Sequence, residues 1–222
     1  MSHWANLRTL SDMPTNVFLI RHAETYGNIE GRFCGHSETE LTPRGIEQAR
    51  ALGLRLKSQR FDAAYSSDLS RAHRTAFHAL EHHESALEAI LDPGLREMHY
   101  GEWESLLGHD IGKHSPDLLR DFFRCRVPAP GGESVQQVRE RTAQALRAVV
   151  AAHPDQTILV VSHGNAIMAM MAELLRVPHE STWSFAVANT SITRLTFSKS
   201  GRMTLTGFND HSHIEGLVGA PA

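Results

Sequence analysis

Two continuous apolar runs of strand length constrain the fold of this chain more than any other feature. "NVFLIR" occupies residues 16–21, and "TILVV" occupies residues 157–161. Neither run alternates apolar with polar residues, which is the pattern of strands buried on both faces of a parallel sheet. Such strands have no side that can face water, so other elements must cover both faces of the sheet.

Helical patterns occupy the chain between these runs. Thr42-Pro43 is typical of a helix start, with threonine as the N-cap and proline in the first turn. Apolar side chains recur at helical spacing within residues 69–83 and 135–149, and a further helix is predicted to end before Pro178. This alternation of strands and helices predicts an α/β fold, a three-layer α/β/α sandwich with a mostly parallel sheet.

Shorter apolar segments are predicted to complete the sheet. They lie at residues 63–67, 86–91, 184–188, 191–197 and 203–208. Residues 98–132 are less regular and run into the loop-forming "VPAPGGES", which predicts a small insertion over the sheet. The domain is therefore expected at 16–208, between an N-terminal tail at 1–15 and a C-terminal tail at 209–222.

Composition and charge restrict the partners of this chain. A net charge of −3 and a pI of about 6.6 give no general attraction to nucleic acid or to an anionic membrane. No apolar run approaches the roughly 20 residues of a membrane span. The first residues lack signal-peptide features, and either Met1 or Met13 fits as the natural start.

With only two cysteines, Cys34 and Cys125, a reducing cytoplasm is expected. Monomer and homodimer are both left open.

Polar side chains follow the predicted strands at the point where each strand ends. Arg21-His22 follows the first run and His163 follows the second, while Arg71 and Glu97 come shortly after the shorter strands. Ligands of open α/β sheets bind beyond the carboxyl ends of the strands. These two arginines, two histidines and one glutamate are therefore predicted to converge on one edge.

This set of side chains suits phosphoryl transfer. Paired guanidinium groups bind tetrahedral oxyanions through charge-assisted hydrogen bonds. A histidine between them can attack phosphorus, and the adjacent positive charges are expected to lower the pKa of His22 and keep it neutral. A carboxylic acid such as Glu97 can protonate the departing oxygen and later activate water.

Other classes of site fit the sequence less well. A cysteine phosphatase needs arginine six residues after its cysteine, but Glu40 and Gly131 stand at those positions. No P-loop or dinucleotide-binding glycine pattern follows a strand. A metal hydrolase built from His22, His163 and either His99 or Glu97 is disfavoured, since the flanking arginines repel a divalent cation. No metal is therefore expected.

Four segments together resemble the histidine phosphatase superfamily, which includes the cofactor-dependent phosphoglycerate mutases. They are "LIRHAETYGNIEGRFCGHSETELTPRGIEQA", "YSSDLSRAHRTA", "LREMHYGEWES" and "VVSHGNAI", and the resemblance runs from about residue 17 to about residue 196. It implies that His22 is the phosphorylated nucleophile and that Glu97 is the acid/base residue. The implied phosphate-binding and pocket residues are Arg21, Arg71, His163, Asn28 and Gly164.

The chain departs from the family pattern at two positions. Ala23 stands where the family usually has glycine after the nucleophile, and Ser105 stands where a glycine is common. Alanine excludes easy positive φ, so a slightly shifted loop with retained activity is expected.

The remainder of the substrate is expected to meet residues near the matched positions. Thr25, Phe33, Cys34 and Tyr100 are candidates for substrate contact, whereas Trp103 is expected to pack the insertion onto the core. Specificity is accordingly predicted to reside in residues 98–132.

The resemblance leaves the fate of the phosphohistidine open between hydrolysis and transfer. A mutase needs extra cations and a lid, and phosphoglycerate mutases carry a longer insert with paired arginines. Here 65 residues separate Glu97 from His163, and the cations of the insertion are scattered: Lys113, Arg120, Arg124 and Arg126. Hydrolysis of a small phosphorylated metabolite without a cofactor is therefore favoured. A mutase requiring 2,3-bisphosphoglycerate is the alternative, and an inactive binding or regulatory relative is the third reading.

Overall fold

A six-stranded sheet forms the centre of the computed structural model, which describes residues 14–84 and 86–217. The strand order is β3-β2-β4-β1-β5-β6. The strands are β1 Thr15–Arg21, β2 Ala63–Ser66, β3 Ile90–Leu91, β4 Thr157–Ser162, β5 Ile192–Phe197 and β6 Met203–Asp210. The β3-β2-β4-β1 portion is parallel, and β5 and β6 join it as antiparallel strands. The sheet is thus mixed, with its parallel part at the predicted apolar runs.

Helices cover both faces of the sheet. They are α1 Tyr26–Glu30, α2 Pro43–Leu56, α3 Ser70–Leu80, α4 Gly108–His114, α5 Pro116–Phe123, α6 Val135–Ala152 and α7 Gly164–Leu174. Alternate residues of β1 and β4 point to opposite faces, which is why both strands are apolar throughout. Val17 and Val160 pack in the core beneath α6 and α7, whereas Ile20 and Val161 pack in the core beneath α2 and α3. The predicted three-layer α/β/α architecture is confirmed.

Two predicted strands differ from the observed structure. Residues 86–91 pair only at Ile90 and Leu91, because their neighbour β2 has four residues and offers partners only at Tyr65 and Ser66. Residues 184–188 are not a strand, since side chains take their backbone groups: Arg21 Nη1 donates to the Val187 carbonyl, and Ala188 N–H donates to Asn209 Oδ1.

The end of the described chain is more ordered than the prediction of a tail from residue 209. Strand β6 continues to Asp210, and a 3₁₀ turn follows at Ser212–Ile214. Residues 1–13 and 218–222 of the two predicted tails lie outside the described residues. Between residues 14 and 217, no helix is long and apolar enough to cross a membrane.

The predicted insertion forms a small core of its own. A 3₁₀ turn at Gly101–Trp103 precedes α4 and α5, and Met98, Trp103 and Phe122 are buried together. This core continues onto α6 and α7 through Val138 and Ala169. Trp103 is 5% exposed, so its predicted packing role is confirmed.

Ser105 lies in a backbone conformation that favours glycine. Its φ is +65°, and its side chain is exposed. Replacing Ser105 by glycine is expected to raise the free energy of unfolding by about 0.5–1 kcal/mol, because the Cβ is strained at positive φ. Urea denaturation measures this. Ser184→Gly is the matched control at an exposed serine outside the left-handed region, and it should lower stability. A loss of stability in Ser105→Gly would contradict the prediction.

Candidate active site

Parallel pairing of β1 with β4 brings the two histidines together. Arg21 lies opposite Ser162 in the register, and His22 N–H donates to the Ser162 carbonyl at 2.9 Å. The rings of His22 and His163, each one residue past its strand, have centroids 5.2 Å apart. The predicted convergence at the carboxyl edge of the sheet is therefore observed.

A cleft of about 260 Å³ opens at this edge. Ten of the predicted site residues line it: Arg21, His22, Thr25, Asn28, Phe33, Cys34, Arg71, Glu97, Tyr100 and Gly164. The remaining one, His163, is fully buried behind the cleft surface next to His22.

The tautomer of His22 is set by its own neighbour. Nδ1 lies 2.7 Å from the Ala23 carbonyl oxygen, which can only accept a hydrogen bond, so Nδ1 carries the proton. The lone pair is then on Nε2. Burial, followed by the charges of Arg71 and Arg21, holds the pKa of His22 well below its usual value. The predicted direction is confirmed, but burial is a larger cause than the arginines. His22 thus presents a neutral nucleophilic nitrogen.

Arg21 and Arg71 are fixed by backbone carbonyls. Arg21 Nη1 donates to Val187 O at 2.6 Å, and Arg71 donates to Gly35 O at 2.6 Å and Ser37 O at 3.0 Å. Arg71 is only 2% exposed, and the buried Nε of Arg21 has no partner among the described residues. These contacts leave further N–H groups of both side chains for a ligand, already held in place.

Gly164 matters because it permits the approach of Arg21. A Cβ at this position would lie 3.3 Å from Arg21 Nε, tighter than ordinary contact. The absence of a side chain therefore helps the guanidinium group to occupy the strand edge.

His163 is a buried polar side chain without hydrogen bonds. Neither ring nitrogen has a partner within the described part of the chain, and burial, more than the nearby charges, holds its pKa well below the usual value. Buried polar atoms are normally paired. A neutral imidazole with unused hydrogen-bonding capacity beside His22 fits a position where an oxyanion is held.

Glu97 joins the insertion to the start of α7. Its Oε1 accepts from Ala166 N at 2.8 Å and Met98 N at 2.9 Å, and its Oε2 accepts from Asn165 N at 3.2 Å. A carboxylate has about four acceptor positions. The remaining acceptor position lies on Oε2, and this is the position for a transferable proton.

Some of the predicted substrate contacts hold the loop in place, whereas others are available to a ligand. Thr25 and Asn28 mainly hold the loop, because they form the capping box of α1. Tyr100 lines the cleft, its hydroxyl accepts a hydrogen bond from Asn165 Nδ2 at 2.7 Å, and burial holds its pKa well above the usual value. Burial also raises the pKa of the Cys34 thiol, so this residue acts as a small neutral group.

Sequence reasoning missed several residues of the site. Those lining the cleft are Arg32, Gly35, Phe123, Asn165, Met168 and Val187. Asn189 supports the nucleophile from behind, because its Nδ2 donates to the His22 carbonyl at 2.9 Å. Asn165 lies two residues after His163 and could have been found from that motif. Asn189 is 167 residues from His22 and carries no local signal.

Alanine fits after the nucleophile without backbone strain. Ala23 is not among the described residues with positive φ, and its methyl group packs in a small core with Leu41 and Ala49. Its N–H donates to Thr75 Oγ1 at 2.9 Å. The loop therefore does not depend on glycine at this position.

The two buried histidines predict a pH-dependent stability. Their folded-state pKa values lie below the unfolded value, so the unfolded chain alone takes up these protons as pH falls below about 6.5. Stability should therefore be full above that pH and fall below it, by up to about 1.4 kcal/mol per pH unit for each histidine. Urea denaturation between pH 7.5 and 5 should give a shallower decline for His163→Gln than for wild type. Parallel curves would contradict this prediction.

In the described chain, no three His, Cys, Asp or Glu side chains are grouped so as to hold a metal ion. The alternative ligand set of His22, His163 and Glu97 or His99 therefore does not form a metal-binding cluster.

Comparison with known proteins places these features in a family. The model of the histidine phosphatase superfamily (branch 1) matches residues 17–211. The adenosylcobalamin/alpha-ribazole phosphatase of Escherichia coli (strain K12) is 34% identical over 174 residues, which cover 77% of this chain and 84% of that protein. Phosphoserine phosphatase 1 of Hydrogenobacter thermophilus is 34% identical over 177 residues, covering 79% of this chain and 83% of that protein.

A solved structure agrees with the architecture as a whole. YhfR of Bacillus stearothermophilus superimposes with a TM-score of 0.85 at 31% sequence identity, covering 90% of this chain and 100% of that one. The matched family segment contains every residue of the convergent set, from Arg21 to His163. This chain belongs to the histidine phosphatase superfamily.

Proposed function

We propose that this protein hydrolyses the phosphate monoester of a small metabolite through a phosphohistidine on His22. The observation that carries the proposal is the neutral His22 imidazole, with Nε2 unprotonated, beside two fixed guanidinium groups. No metal or organic cofactor takes part in the proposed reaction, and the cytoplasm is its proposed compartment.

The first half of the reaction forms the phosphoenzyme. The substrate phosphate binds Arg21 and Arg71, with His163 beside it, and these groups oppose the charge on its oxygens. His22 Nε2 attacks phosphorus, so the N–P bond forms while the P–O bond to the leaving group breaks. Glu97 delivers its proton to the departing oxygen, and the alcohol leaves.

The second half regenerates the enzyme. Glu97, now a carboxylate, takes a proton from a water molecule that attacks the phosphohistidine. The P–O bond to this water forms, the N–P bond breaks, and inorganic phosphate leaves with His22 neutral again. One residue serves both halves because its proton returns at the end.

The small number of cationic side chains in the cleft favours water, rather than a second substrate molecule, as the acceptor of the phosphoryl group. A mutase must grip a second acidic group while the bisphosphorylated species turns round. Among the described residues, Arg32 is the only cation that lines the cleft besides Arg21 and Arg71, and neither Arg124 nor Arg126 lines it. Arg126 pairs with Asp121 on the surface instead.

The test assays one purified sample for both phosphate release and phosphoglycerate interconversion. We expect steady release of inorganic phosphate from a panel of phosphate esters. We expect little interconversion of 3- and 2-phosphoglycerate, with or without 2,3-bisphosphoglycerate. Interconversion that outpaces phosphate release by orders of magnitude would establish the mutase. Absence of both reactions and of phosphoenzyme would support the inactive relative.

A further inference from the structure

Apolar side chains form part of the lining of the cleft. The aromatic residues among them are Phe33, Tyr100 and Phe123, and the aliphatic ones are Met168 and Val187. The Phe33 ring meets Tyr100 edge-on with centroids 5.0 Å apart and lies 6.4 Å from the ring of Phe123. These three rings form one continuous surface, which we call the aromatic wall.

Phe123 is the most exposed member of this wall. It is the last residue of α5 and is 52% exposed, whereas its neighbour Phe122 is fully buried and fills the core of the insertion. A large exposed ring at the mouth of a cleft marks a contact surface for a ligand.

The charged side chains of the cleft are already assigned to phosphate binding and to proton transfer. Arg21 and Arg71 balance a phosphate dianion, and Glu97 is the one carboxylate that lines the cleft in the described part of the chain. Arg32 also lines the cleft, but its guanidinium group is already engaged, because its Nε donates to Glu30 at 2.5 Å and its Nη1 donates to Ser105 O at 2.8 Å. A substrate with an additional carboxylate or ammonium group would bring a charge without a partner, which is costly in a partly buried site.

The size of the cleft limits the body of the substrate. Its volume of about 260 Å³ lies below the roughly 300–1,000 Å³ of pockets that enclose drug-sized ligands. A phosphate and one compact group fill it.

We propose that the leaving group of the substrate is an uncharged, apolar alcohol of about ring size, held by the aromatic wall. The inference rests on the proposed phosphatase function and specifies its substrate class. It assigns Phe123 as a specificity-determining residue for the body of the substrate.

The experiment compares primary-alcohol phosphates of matched chemistry. Purified enzyme is offered 2-phenylethyl phosphate, ethyl phosphate and O-phosphoserine, with p-nitrophenyl phosphate as a general substrate. We expect kcat/KM for 2-phenylethyl phosphate to exceed that for each of the other two alkyl esters at least about tenfold, as a filled apolar pocket allows.

Two variants test whether Phe123 causes the preference for 2-phenylethyl phosphate. Phe123→Ala should lower the ratio of kcat/KM for 2-phenylethyl over ethyl phosphate about fivefold, since the ring loses its contact surface. Phe77→Ala removes a ring that is 61% exposed on α3, outside the cleft, and should leave the ratio unchanged. Thermal unfolding checks that both variants are folded.

Each other outcome overturns a defined part of the inference. Preference for O-phosphoserine, lost in Arg32→Ala, would overturn the substrate class and leave the phosphatase function standing. An unchanged ratio in Phe123→Ala would overturn the role of the aromatic wall. If no ester is hydrolysed, p-nitrophenyl phosphate included, the proposed function fails along with the substrate class.

Discussion

Replacing His22 by alanine is expected to lower kcat by at least about 10⁴-fold, because the substitution removes the unprotonated nitrogen that lies beside the two arginines. His22 Nε2 carries the lone pair, and the neighbouring His163 lies behind the cleft surface. Brief incubation with labelled substrate should mark the wild type with acid-labile, base-stable phosphate and leave His22→Ala unmarked.

The control for this variant is a histidine outside the cleft. The His82 side chain is 84% exposed, and His82→Ala should keep both turnover and labelling. Full activity in His22→Ala would overturn the mechanism, and loss of wild-type activity on treatment with a chelator would do the same.

Replacing Glu97 by glutamine should reveal which step needs a proton. We expect alkyl phosphate hydrolysis to fall by about 10²–10³-fold, since the alcohol must be protonated as it leaves. Hydrolysis of p-nitrophenyl phosphate should fall much less, because nitrophenolate leaves without a proton. Steady-state rates on the two esters measure the difference.

The same substitution should also lower stability. A glutamine NH₂ group cannot accept the hydrogen bond that Asn165 N–H or Ala166 N–H donates to the carboxylate. The start of α7 would then lose a cap, at a cost of about 1–2 kcal/mol. Equal rate losses on both esters, without a change in the burst of product, would instead assign Glu97 a purely structural role.

The sheet could be predicted from local pattern because its central strands are buried on both faces. The uninterrupted apolar runs of β1 and β4 exclude an exposed face, and the observed cores lie on both sides of them. Strand β3 could not be delimited in the same way. The length of β3 depends on how many residues of β2 are in position to pair with it. Strand β2 lies in a different segment of the chain, so the local pattern of β3 does not contain this information.

The residues proposed to be catalytic could be located from the sequence because each follows a strand or its turn closely. Parallel strands end at one edge, so the order of strands and polar residues was sufficient to predict that His22 and His163 meet. Their chemical identity, two cations, two imidazoles and one carboxyl group, restricted the reaction to phosphoryl transfer. These five side chains do not by themselves separate hydrolysis from transfer, because both reactions begin with the same phosphohistidine. Membership of the family is shown by the match over residues 17–211.

Tertiary structure alone decided how the side chains are held. Arg71 is fixed by the carbonyls of Gly35 and Ser37, and Asn189 supports His22 across 167 residues of chain. Such contacts join residues that have no periodic or motif relation, so no local pattern encodes them. Burial likewise proved the largest cause of the lowered pKa of His22, and burial is a property of the assembled core. The sequence by itself determined which polar side chains meet at the edge of the sheet. The packing of distant segments decided the orientation of these side chains, their protonation and the assembly of the aromatic wall.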